Sequence, residues 1–192
     1  MFTAIATYRR TLITSLVIAL VLVFSFTSLR LSAWQGLLPF FGWMETTIFG
    51  VIGKTYGAAF AVIEAIHLLA MALLGGAVMI SDGRLVGLLL TDVPARTVID
   101  KSHKLFVVAL LVVVFTGVFM ACGVAMKVYY LDVFFYKMLV LSAGVLFVFF
   151  IRRPLLQQDL DTISPTVKKC VALSSLLIWF TVAAAGRWIG FS

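Results

Sequence analysis

From Leu105 to Met126, and again from Met138 to Ile151, the chain carries no charged side chain. A helix needs about 20 mostly apolar residues to cross the roughly 30 Å hydrocarbon layer of a bilayer. Stretches of that kind recur along the chain, and five spans can be drawn at about residues 12–29, 57–80, 105–126, 134–151 and 167–188. Soluble domains carry about 25% charged residues, whereas this chain of 192 residues is 12% charged and 63% hydrophobic, with a mean hydropathy of +1.16. A soluble fold would have to coat itself in apolar surface. The expected fold is therefore all-α and integral to the membrane, a five-transmembrane-helix bundle forming a single membrane domain over residues 1–192. Arg9 and Arg10 before the first apolar stretch resemble the start of a signal peptide. The stretch ends at Ser25-Phe26-Thr27-Ser28-Leu29-Arg30 without a small-x-small cleavage site, so it reads as a retained span.

The fifteen Lys and Arg residues give a net charge of +7. They lie between apolar segments rather than along one stripe, which excludes a nucleic-acid footprint. Their distribution sets orientation instead. With the N-terminus cytoplasmic, ten fall on the inner side and five (Arg30, Lys54, Lys127, Lys137, Arg187) on the outer side. Residues 32–56 are apolar but broken by Pro39 and glycines, so an interfacial segment is expected between helices 1 and 2. Trp34 and Trp43 would anchor it in the aromatic belt with Tyr129, Tyr130 and Trp188. Cys122 and Cys170 fall on opposite sides of this map, so no disulfide joins them. Two cysteines are also too few for a thiolate metal cage.

The second span holds Glu64 and His67, and a charged side chain at mid-membrane costs about 2.5–3.5 kcal/mol on insertion scales. Projected at about 100° per residue, Gly57, Phe60, Glu64, His67, Met71, Gly75 and Val78 share one stripe. Its glycines predict a close neighbouring backbone. Lys137 and Arg187 lie at a similar depth, so a cluster of Glu64, His67, Lys137 and Arg187 is expected in the outer half. Such a cluster fixes helix register, or holds a cofactor with His67 as metal ligand and Glu64, Met71, Lys137 and Arg187 around it, or handles protons or ions. The cofactor would be haem b or another tetrapyrrole held by His67 alone or with a partner ligand such as Met120, or copper on His67 and Met71. Depth argues against a bis-histidine haem unless the third span begins far earlier than Leu105: His67 lies about 21 Å from the inner boundary at about 1.5 Å per residue, where His103 sits. Ser81 to Gly87 reads as a charged inner turn capped through Gly83. Its Asp82 and Arg84 are candidates to grip the 152–169 loop or a partner, as Trp34 and Trp43 are on the other side. No GxGxxG, P-loop, HExxH, GxSxG or CxxC pattern is present, and no nucleophile has a base at a recognisable spacing.

Glu64-Ala65-Ile66-His67-Leu68, followed by Asp82-Gly83-Arg84-Leu85 and Gly87, resembles the signature of a bacterial family of small multi-pass membrane proteins. Further matches are Thr116-Gly117, Phe135-Tyr136-Lys137-Met138 and Gly186-Arg187-Trp188, so the likeness covers about residues 43–192. Ala70 stands where the family often has glycine. The family has no assigned function, and the resemblance implies a fold and candidate positions in a bacterial cytoplasmic (inner) membrane. Its layout is distantly similar to copper-resistance membrane proteins and b-type cytochromes, a likeness of fold only. With little extramembranous mass and no catalytic motif, the chain is expected to be a non-catalytic subunit or accessory protein of a larger membrane complex, partnered by lipid and by other membrane-protein subunits. The alternatives are a haem-binding redox protein using His67 and a small proton or metal-ion permease using Glu64 and His67.

Overall fold

In hydrocarbon each backbone must satisfy its own hydrogen bonds, and the apolar stretches do so as helices. A computed structural model of the chain describes residues 2–191, leaving aside the side chains of residues 2–8, 10, 11, 22 and 29. The helices are α1 (Phe2–Ser25), α2 (Leu29–Gln35), α3 (Leu38–Thr46), α4 (Ile48–Thr55), α5 (Gly57–Val86), α6 (Ala95–Gly123), α7 (Ala125–Tyr129), α8 (Asp132–Leu146), α9 (Arg153–Leu156) and α10 (Pro165–Ile189). A π-helical turn, Phe147–Arg152, joins α8 to α9. No strand occurs among the described residues.

Among the described residues, four rods are long and apolar enough to cross a membrane: α5, α6, the combined Asp132–Leu156 and α10. A fifth crossing exists if Leu12–Ser25 is counted with Arg30–Thr46, two segments bent by 89° at their junction. That bend turns α2 and α3 across the bundle end, the place expected for an interfacial segment. Trp34 anchors them, donating from Nε1 to the Tyr129 carbonyl at 3.0 Å and stacking on the Tyr129 ring. Phe41 completes a buried cluster with Ala125 and Val128. This is the aromatic end; the opposite end, where the π turn terminates, is the arginine end. At the bundle centre Leu74, Ala77, Phe106, Leu110, Val148 and Trp179 interlock.

Three expected boundaries move. The second span does not stop at Gly83: α5 continues to Val86 and is capped by Gly87, whose φ of 91° is the left-handed geometry glycine adopts without strain. Gly83 instead admits Leu89, because a Cβ there would lie 2.6 Å from Leu89 Cδ1. The third span starts at Ala95 rather than Leu105, directly after Pro94, so the charged run 96–104 is helical. The fourth runs on to Leu156 through the π turn. Pro154 explains the turn: it donates no N–H, and its ring disfavours a regular α-helical turn before it.

The expected glycine contacts also shift. Gly57 and Gly75 face open space, whereas Gly53 and Gly123 abut each other and Gly144 meets Ile178. Cys122 is buried, Cys170 is exposed, and both are free.

Candidate functional site

His67 sits on the buried stripe of α5 with Ala70, Leu74, Ala77 and Ser81, and is 7% exposed. Its Nδ1 lies 2.7 Å from Thr116 Oγ1 on α6. The Thr116 hydroxyl has one proton, and it donates to the Val112 carbonyl at 2.6 Å. Thr116 therefore accepts from His67 Nδ1–H, and the neutral ring keeps a lone pair on Nε2. Gly117 makes room for the imidazole, since a Cβ there would stand 3.3 Å from Cε1. One turn further along α5, Met71 meets Gly186 of α10, and the Lys137 ammonium lies over the same glycine.

Of the expected cluster, His67, Lys137 and Met71 thus share an interior layer, and Glu64 and Arg187 do not. The Glu64 side chain is exposed. The inward position at its turn belongs to Ile63 and Phe60, whose ring packs against Gly123, leaving Glu64 on the flank. Gly186 takes the inward place on α10, which puts Arg187 about 100° round the helix. There its guanidinium lies over the Phe191 ring at 4.3 Å. Trp34 is built into the aromatic end, while Trp43 is exposed beside Phe40.

A second polar site occupies the arginine end. Asp82 is fully buried, and Arg152 donates to its Oδ1 from Nε at 3.1 Å and from Nη2 at 2.5 Å. The same Nη2 reaches Ser81 Oγ at 2.6 Å. The π turn sets this register: Arg152 points inward, and Arg153 falls on the flank, 2.7 Å from Asp100. Ser175 of α10 lies beside the Asp82 carboxyl group. A cavity of about 10 Å³ opens among Ser81, Ser102, His103, Arg152 and Ser175, enough for one water at about 10–15 Å³ each. Asp82 Oδ2, His103 Nδ1 and Trp179 Nε1 are buried without a partner among the described residues. Asp82 therefore does grip residue 152, at the start of the 152–169 segment. Arg84 does not; it donates to the Val93 and Thr91 carbonyls and holds the α5–α6 connection.

The two histidines stay apart. His67 is tied to Thr116, which lies thirteen residues beyond His103 on one helix, about 20 Å at about 1.5 Å per residue. No group of three His, Cys, Asp or Glu able to hold a metal occurs among the described residues.

Residues 40–192 match the model of DUF6644, a family of unknown function. The chain belongs to this family. The DUF6644 match begins inside α3 and takes in both polar sites, leaving α1, α2 and Trp34 outside it. Its extent is close to the 43–192 expected from the sequence signature. No curated protein and no solved structure matches the chain, so the DUF6644 assignment carries no activity with it. Arg152, Ser102, His103 and Ser175 were absent from the sequence-derived site. A depth comparison holds their signal: Asp82 sits on the His67 stripe at the level where the fourth apolar run ends in Arg152-Arg153.

Proposed function

We propose that this protein is a non-catalytic subunit or accessory protein of a larger assembly in a bacterial cytoplasmic membrane, with its N-terminus on the cytoplasmic side. The observation that carries the proposal is Glu64. It lies two turns into a membrane-spanning helix with its side chain on the outside of the bundle, and no described residue of the chain bonds to it. Ionisable groups at such depth pair with a partner or line a polar path. Glu64 and His67 do not converge on one interior path, which favours a partner group over an ion route. The test is the mass of the protein extracted in mild detergent, by light scattering and native mass spectrometry. A particle of fixed stoichiometry with a second component, lost in Glu64→Leu, supports the proposal. A monodisperse monomer under the same extraction overturns it.

A second reading has one observation in its favour. Anchoring Nδ1–H on Thr116 and leaving the Nε2 lone pair is the orientation that metal-binding histidines adopt, so His67 would be the residue that holds the iron of a b-type haem. The surrounding space fits poorly, because Gly117 touches the ring and Met71 and Lys137 close on Gly186. A visible absorption spectrum decides: a Soret band lost in His67→Ala supports it, and a colourless folded protein removes it.

A further inference from the structure

At the arginine end a surface groove of about 620 Å³ opens between the end of α5, the start of α6 and the loop leading into α10. Ligand sites typically measure about 300–1,000 Å³. Arg84, Arg96 and Lys168 line this groove together with Asp159 and Asp161.

The cations come from three different helices, and backbone carbonyls fix them in place. Arg84 Nε donates to Val93 at 3.0 Å, Arg96 Nη2 to Gln157 at 3.2 Å, and Lys168 Nζ to Leu160 at 3.1 Å. An ammonium carries three donors and a guanidinium five, so Arg84 and Lys168 keep donors beyond these bonds. The two acids are set by a turn in which Asp159 Oδ1 accepts from the Asp161 amide at 3.2 Å. The groove is therefore charged in both signs.

Its depth and its apolar edge narrow the ligand. α5 and α6 have 30 and 29 residues, or about 45 and 43 Å at about 1.5 Å per residue. Hydrocarbon spans only about 30 Å, so the ends of these helices stand in the headgroup layer. The connection beside the groove exposes Leu88, Leu89 and Leu90 in succession, Leu88 by 77%. Leu90 also has a φ of 50°, a left-handed conformation uncommon for a residue with a side chain. Leu89 packs back on Gly83, and Leu88 and Leu90, held outward next to a charged groove, suit acyl chains beside a headgroup.

We propose that the groove seats a zwitterionic phospholipid of the ethanolamine class. Its phosphate meets Arg84 and Lys168, its ammonium meets Asp159 and Asp161, and an acyl chain runs along Leu88 and Leu90, while Arg96, held by the Leu156 and Gln157 carbonyls and by Asp100, shapes the wall. The two carboxylates repel a headgroup that carries only negative charge, and the leucines give a soluble phosphate ester nothing to hold.

The test is native mass spectrometry of the full chain, delipidated in detergent and titrated with phosphatidylethanolamine, phosphatidylglycerol or free phosphoethanolamine. The expected result is retention of phosphatidylethanolamine several-fold above phosphatidylglycerol, with no phosphoethanolamine adduct. Asp159→Asn/Asp161→Asn shifts the preference toward phosphatidylglycerol, Lys168→Gln weakens both lipids, and Leu88→Ser weakens both without changing the choice between them. Equal retention of the two lipids by the native chain, an unchanged choice in the double variant, or phosphoethanolamine bound as well as the lipid would each overturn the proposal.

Discussion

Asp82 and Arg152 stand 70 positions apart in the chain and close on each other with side chains 0% and 6% exposed. Both guanidinium contacts fall on the same carboxylate oxygen, which leaves Oδ2 without a partner. The pair fastens α5 to the π turn and sets the height of one rod against the other. A buried pair of this kind is a weak source of net stability, but breaking it strands an uncompensated charge inside the bundle.

Arg152→Gln is therefore expected to destabilise the folded bundle by about 3–5 kcal/mol, read as thermal unfolding of the protein in detergent. Asp82→Asn should also destabilise. The double variant should fall closer to the native protein than the sum of the singles, since neither charge is then left alone. Strictly additive losses would show that the two groups are not coupled.

Thr116→Val removes the acceptor that orients His67. The expected loss is about 1 kcal/mol, the usual size for one internal hydrogen bond. The more telling signal is the imidazole nitrogen resonance of His67, which should move away from the Nδ1–H form. Thr116→Ser should keep the native spectrum. A valine variant that leaves the tautomer unchanged would show that Thr116 does not hold the ring.

The crossing helices were legible because periodicity and length act locally: about 20 apolar residues admit few other folds in a membrane. Asp82 was legible as a gripping residue because an acid at a helix end needs a counter-charge. The facing of Glu64 was not. Three residues correspond to a rotation of about 300°, so Glu64 and His67 differ by about 60° on the helix wheel. Which of the two lies inside is then decided by what packs there, here Phe60 against Gly123. The π turn was equally hidden, since Pro154 announces a break but not how the preceding turn accommodates it.

Glycine positions separate close packing from open surface. A Cβ at Gly144 would stand 2.8 Å from Ile178 Cγ2, whereas one at Gly75 would meet nothing within 4 Å. Gly144→Ala should cost about 1–3 kcal/mol, the usual range for overpacking. Gly75→Ala should be neutral or stabilising by up to about 1 kcal/mol through helix propensity. Matched melting curves check both, and a tolerated Gly144→Val would contradict the packing of α8 on α10.

Glu45, in the segment lying across the aromatic end, gives a pH dependence of definite sign. Lys54 Nζ bonds its Oε2 at 2.8 Å and the Met126 amide bonds its Oε1 at 3.1 Å. The Lys54 bond foremost, and then the Met126 amide, hold its carboxyl below the usual glutamate range. A carboxyl with a lowered folded-state pKa contributes fully above its unfolded pKa of about 4.3, and that contribution is lost as the pH falls through the folded value. Lys54 is exposed and Glu45 half-buried, so the effect should stay below about 1 kcal/mol and shrink with salt. Between pH 6 and acid conditions, Glu45→Gln should flatten this part of the melting profile and leave the neutral plateau slightly lower. A variant whose melting temperature tracks the native protein through the acid limb would mean that the bonds of Glu45 add nothing to the packing of α3 on α7.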